Sequence, residues 1–201
     1  MIPKTTKTRC GWVRPGNTLY EEYHDHEWGV PVYDDQVLFE FLILESAQAG
    51  LSWETILKKR EAYRRAFAQF DAKKIARFTD TDVIRLMNDA GIVRNRLKIN
   101  STITGAQIFL AIQKEYGSFA TYAWQFIGGT PIDTKRKTLK DIPAVTLQAE
   151  AFSKDMKKRG WKFFGPTIAY AFMQATGMVN DHTADCFRYN KIKKLNSVPL
   201  S

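Results

Sequence analysis

An all-α fold is predicted for this chain of 201 residues. Three observations carry the prediction. Apolar residues recur at helical spacing, polar capping residues precede those stretches while glycines follow them, and no run alternates as a half-buried strand would. After the capping pair Asp34-Asp35, "QVLFEFLILESAQAG" is apolar on every side and stops at Gly50, which reads as a buried helix. Ser52 caps "WETILKKREAYRRAFAQF". Asp71 starts a short helix, and Thr79 or Asp80 starts another that runs through Asn88 and closes at Gly91. "RNRLKINSTITGAQIFLAIQKEYG" is a long helix ending at Gly117, and Ser118 begins "SFATYAWQFI". "GGTPIDTKRKTLKDIP" is the one evident loop. Helices resume from Thr146 to about Arg159 and from Pro166 to about Thr176, and the chain beyond Ile192 is expected to fray.

A hydrophobic content of 44% suffices for one compact domain, or two lobes sharing a core, over residues 10–187. Basic tails, 1–9 and 188–201, flank it. No apolar run is long enough to span a bilayer and the N-terminus lacks the apolar stretch of a secretory signal, so a cytoplasmic protein with no membrane partner is expected. The formal charge is +9. Four basic residues and no acids stand in 1–14 (Lys4, Lys7, Arg9, Arg14), and four more in 187–201 (Arg188, Lys191, Lys193, Lys194), leaving +1 between. A polyanionic partner suits that distribution, and so does a purely solubilising role for the tails.

Three stretches carry chemistry. "RCGWVRPGNTLYEEYHDHEWGVP" concentrates Trp, Tyr, His and Cys where aliphatic residues are scarce. "NDHTADC" sets His182 and Cys186 at i and i+4, neighbours on one face of a helical turn, and Cys10 with His24 supplies a second thiol and imidazole. A Cys₂His₂ set is complete for tetrahedral zinc and leaves no open position, hence a structural and not a catalytic ion. Spacing leaves open an ordinary buried thiol pair with surface histidines, and leaves His26 as a rival ligand. Finally, "KKRGWKFFGPTIAYAF" reads as two helices joined by a short turn, with Gly160 closing the first and Pro166 opening the second. The free N–H groups at such a helix start can hold a phosphate oxygen, with Lys162 beside them; simple packing of two helices is the alternative.

With "RCGWV", "LYEEYHDHEWGVP", "LFEFLILESAQAGLSWETILKKREAYRRAFAQFD", "DAGIVRNRLKI" and "KKRGWKFFGPTIAYAFMQATGMVNDH" taken together, the chain resembles the bacterial 3-methyladenine DNA glycosylase I family from Cys10 to Cys186. That family is a divergent branch of the helix-hairpin-helix glycosylases. The resemblance implies a helix-hairpin-helix fold whose structural zinc joins the two ends of the chain through Cys10, His24, His182 and Cys186, demoting His26. It implies a base pocket of Trp12, Tyr20, Tyr23, Trp28 and Trp53 with Glu45 as the catalytic carboxylate. Gly165, Thr167 and Lys162 would contact DNA, and Leu51 in "AGLS" would enter the gap left by an extruded base.

The implied reaction is hydrolysis of the N-glycosidic bond of 3-methyladenine in double-stranded DNA, releasing the free base, with water as nucleophile. Thr167 stands where lyase relatives carry a Schiff-base Lys, so no lyase step is expected. An essential Asp of many relatives is best matched by Asn180, with Asp181 adjacent, which leaves the general base open. Ser46 and Ala47 depart from commoner members and are expected to retune the pocket. A monomer is expected, and the alternative function is a non-catalytic module that binds alkylated DNA.

Overall fold

The computed structural model describes residues 7–195. Its axis is α2 (Asp35–Gln48), buried from Leu38 through Ala47 because its residues are apolar on every side. Asp34 caps it by accepting from the Val37 N–H. Asp35, the other half of the expected capping pair, instead reaches across to accept from Phe119 and Ala120 N–H at 2.8 Å, and so caps a distant helix.

The expected helices form close to the positions their caps indicate. They are α3 (Trp53–Ala66), α4 (Ala72–Ile75), α5 (Asp80–Met87), α6 (Arg96–Tyr116), α7 (Phe119–Trp124), α8 (Leu147–Lys158) and α9 (Pro166–Ala175). α3, α6, α7 and α9 pack around α2, while α8 and α9 form a tightly packed hairpin. Phe39, Phe109, Phe119, Tyr122, Phe152 and Phe172 fill the interior.

Four features differ from the sequence expectation. The aromatic-rich N-terminal stretch contains α1 (Thr18–His26), capped by Asn17, which its many polar residues disguise. The "GGTPID" loop is not wholly irregular, since β1 (Ile132–Asp133) pairs in parallel with β2 (Val179–Asn180). Two residues are too few to leave an alternating pattern. His182 and Cys186 lie in consecutive turns and not on a helix; the Cys186 N–H donates to Thr183 O at 2.8 Å. α10 (Tyr189–Leu195), anchored by buried Tyr189 and Ile192, carries the helix past Ile192, where fraying was expected; the rest of that segment, 196–201, lies outside the described residues.

The N-terminal segment is seated on the end of α9. Gly29 N–H donates to Gln174 O and Val32 N–H to Thr176 O. Gly177, at φ +69°, lies so close to Val30 that a Cβ would stand 2.3 Å from its carbonyl carbon, so no other residue fits. No described helix is long and apolar enough to cross a membrane.

Candidate active site

α2 carries two buried acids in opposite states. Glu40 accepts from Arg60 and Arg64, the pairing a core carboxylate needs. Glu45 is 2% exposed, its Oε2 has no partner, and burial pushes its pKa up to about 8. A buried acid satisfied by arginine therefore describes Glu40, not Glu45.

Glu45 faces a cleft of about 290 Å³ whose walls include all five sequence-predicted aromatics: Trp12, Tyr20, Tyr23, Trp28 and Trp53. Local structure explains much of this. Tyr20, Tyr23 and His24 share one face of α1 by their i, i+3, i+4 spacing, and Trp28 follows the helix end. Trp12 packs edge-on against Tyr20 at 5.5 Å and Trp28 at 5.1 Å, and Tyr23 lies 5.5 Å from Trp53. The Nε1 atoms of Trp12 and Trp53 are buried without partners, as is Glu45 Oε2. Three of the side chains that line the cleft thus each carry a solvent-shielded polar atom with no partner in the protein, an arrangement suited to a flat heterocycle with polar edges.

Gln48, Ile142, Ala171 and Gln174 complete the lining and were missed from sequence. Gln48 was legible, three residues after Glu45 on the same helix. The others come from the loop and α9, and nothing local marks them. Ser46 and Ala47, expected to retune the pocket, do not themselves line this cleft; Ser46 Oγ accepts from Trp161 Nε1 at 3.2 Å. Asn180 and Asp181 are also outside it. Asn180 Nδ2 donates to Tyr189 O, and buried Asp181 accepts from Tyr170, Gln174, Thr134 and Arg136. Asp181 touches the cleft only through Gln174.

Behind the aromatic wall, Cys10, His24, His182 and Cys186 are all buried with their ligand atoms within 4.8 Å of one another. Cys186 Sγ lies 3.4 Å from His24 Nε2 and 3.5 Å from His182 Nδ1. The other ring nitrogens are occupied: His24 Nδ1 donates to Asp25 at 2.9 Å and His182 Nε2 to Trp28 O at 3.0 Å. Arg9 holds Asp25 by two bonds of 2.8 Å. This outer layer orients both imidazoles as metal ligands require, and the sequence reading missed it. His26 is exposed and faces Glu22.

Of the expected DNA contacts, Leu51 is 41% exposed at the turn after α2. Lys162, Gly165 and Thr167 are exposed at the α8–α9 turn, with Gly165 as the N-cap of α9. Buried Trp161 and Phe164 anchor that turn, and Ser153 Oγ donates to Phe164 O at 2.7 Å.

A family model described as methyladenine glycosylase matches residues 12–189. The chain is 50% identical over 181 residues to DNA-3-methyladenine glycosylase 1 of Escherichia coli (strain K12), covering 90% of this chain and 96% of that protein. It is 46% identical over 179 residues to DNA-3-methyladenine glycosylase of Haemophilus influenzae, covering 89% and 96%. A solved variant of 3-methyladenine DNA glycosylase I in complex with 3-methyladenine matches with TM-score 0.86 at 41% identity, covering 89% of this chain and 96% of that one.

Proposed function

This chain belongs to the methyladenine glycosylase family, and on that premise we propose that it excises 3-methyladenine from alkylated double-stranded DNA by base flipping and hydrolysis. The observation that carries the reading is the set of three unpartnered polar atoms in one aromatic cleft. A purine with an exocyclic amine donates to Glu45 and accepts from the indole N–H groups of Trp12 and Trp53.

Charge supplies discrimination. The damaged nucleotide carries a cationic base, which aromatic faces attract by up to about 2 kcal/mol per desolvated contact; neutral adenine lacks that term. With its pKa near 8, Glu45 is mostly protonated at neutral pH before the base enters. A cation beside it favours the carboxylate and balances its charge. Cleavage leaves the base neutral, so the leaving group needs little acid assistance. The cleft then contributes position and electrostatics while water attacks the sugar carbon. A Schiff-base step would need an amine at the start of α9, where Thr167 stands, so the enzyme is a glycosylase without lyase activity.

α8, the 159–165 turn and α9 form the helix-hairpin-helix. Lys162, Gly165 and Thr167 hold a backbone phosphate there without reading sequence. Leu51 acts as the apolar wedge that fills the space of the flipped nucleotide. The Cys10, His24, His182 and Cys186 cluster binds one structural zinc, because two thiolates and two imidazoles form a closed donor set with no position for a reacting water. Its part in activity is to fix the cleft wall through Trp28 and to bring the chain ends together. Phe187 N–H already donates to Thr8 O, and Lys7 and Lys191 both lie over the Phe187 ring. The protein works as a monomer in the cytoplasm, and free 3-methyladenine is its product.

The test is chromatographic detection of bases released from methylated duplex DNA. The parent releases 3-methyladenine, and Glu45→Gln, which keeps the shape but not the charge, is slower by on the order of a hundredfold. Binding without release by the zinc-loaded parent would leave a damage-binding module as the account.

A further inference from the structure

The wedge turn and the hairpin turn come from different parts of the chain, yet both rest on the first turns of α6. Lys98 Nζ donates to Ala47 O at 2.8 Å and to Ala49 O at 2.7 Å. These are among the carbonyls that the end of α2 leaves without intrahelical partners. Three residues on, Ser101 Oγ donates to Lys162 O at 3.3 Å. Ser46, Lys98, Ser101 and Phe163 line one small cavity shared by α2, α6 and the hairpin turn.

Lys98 is half-buried, and burial lowers its pKa. An apolar side chain of similar length would fill the same volume without that cost. What the ammonium adds is a directional hold on two carbonyls at a helix C-terminus, where a cation is favoured. Immediately beyond them the chain leaves the helix: Ala49 is non-helical, Gly50 takes φ +79°, and Leu51 N–H donates to Gln48 O at 2.6 Å. The base of the wedge turn is therefore pinned, and its tip, Leu51, is exposed.

We propose that Lys98 is a positioning residue for base extrusion: by holding the end of α2 against α6, it sets Leu51 at a fixed distance from the phosphate-binding hairpin. DNA gripped at the hairpin then meets the wedge in a set register. This rests on the reading of Leu51 as the wedge. It assigns Lys98 to the opening of the duplex and not to recognition of the base, because Lys98 lies outside the aromatic cleft.

The experiment compares Lys98→Met, Lys98→Gln, Leu51→Ala and the Lys98→Met/Leu51→Ala pair in the full, zinc-loaded chain. Single-turnover base release from methylated duplex DNA is read beside binding of free 3-methyladenine, followed by tryptophan fluorescence. Lys98→Met slows duplex excision at least tenfold while free-base affinity stays within twofold. Lys98→Gln, which keeps one donor, loses less. In the Leu51→Ala background, Lys98→Met costs less than a further twofold, because both act on one step. Free-base affinity that falls in step with excision, or additive losses in the pair, would overturn the proposal. If Leu51→Ala slows excision and neither Lys98 variant does, the proposal fails alone. If Leu51→Ala has no effect, it fails together with the wedge reading.

Discussion

The thiol-imidazole cluster and the aromatic cleft share a wall but are finished to different degrees. Trp28 lies 4.6 Å from the His182 ring on one side and lines the cleft on the other. In the cluster each imidazole has its outer nitrogen bonded, and the four ligand atoms face one another. In the cleft, Trp12 Nε1, Trp53 Nε1 and Glu45 Oε2 have no partners. An unsatisfied buried polar group costs about 1–3 kcal/mol, and three in one place are what the proposed base pocket would satisfy. The cluster's four ligand atoms already face one another, whereas the cleft's three polar atoms are left without partners.

The largest effect should come from breaking the complete side. Metal analysis is expected to give one zinc per chain, and Cys186→Ser or prolonged chelation should abolish cooperative folding or lower the melting temperature by more than ten degrees or so. A metal-free protein that melted like the parent would remove the distinction between the two regions.

Glu45 tests the incomplete side through pH. Its folded pKa of about 8 lies above the ordinary 4.5, so the folded state holds this proton more tightly than the unfolded chain does. That contribution is fully present below about pH 4.5 and is lost as pH rises to about 8, at roughly 1.4 kcal/mol per pH unit. Glu45→Gln lacks the titration. Thermal melts across this window should therefore show the parent losing ground steadily to the variant as pH rises; a constant difference would mean that Glu45 is partnered after all.

Trp53→Phe keeps an aromatic face but deletes the donor together with the pyrrole half of the indole. Excision is expected to fall about tenfold, equivalent to about 1.4 kcal/mol, while the melting temperature falls by no more than a few degrees or so, because losing an unpartnered N–H offsets part of the lost packing. A stability loss with unchanged excision would make Trp53 a packing residue.

The smallest effect concerns the chain ends. Truncation is a poor probe because Tyr189 and Ile192 are buried. Lys4→Gln, Lys7→Gln, Lys191→Gln and Lys194→Gln together should leave excision at low salt intact and flatten the salt dependence of duplex binding, by up to about 0.9 in slope for each DNA phosphate that one of these lysines neutralises. An unchanged slope would restrict the tails to solubility. Lys4 lies outside the described residues, as do the tail segments 1–6 and 196–201.

Local information carried the helices. Asp34, Ser52, Thr79, Asn95, Ser118 and Thr146 cap the helices that follow them, and glycines such as Gly50 and Gly117 stand at their ends, because cap chemistry acts over three or four residues. α1 escaped notice because its residues serve a cleft and a thiol-imidazole cluster, not an aliphatic core, and a two-residue strand has no period to detect. The aromatics and Glu45 were named by their resemblance to known motifs; their composition marked them as unusual without saying that they meet. Tertiary structure decided the rest. It left Glu45 bare where Glu40 found arginines, directed Ser46 to the hairpin, buried Asp181 behind Gln174, and placed Lys98 against a helix end some fifty residues earlier in the chain. Partnering of a buried polar group depends on what the rest of the chain brings within about 3 Å, and no periodicity in one segment encodes that.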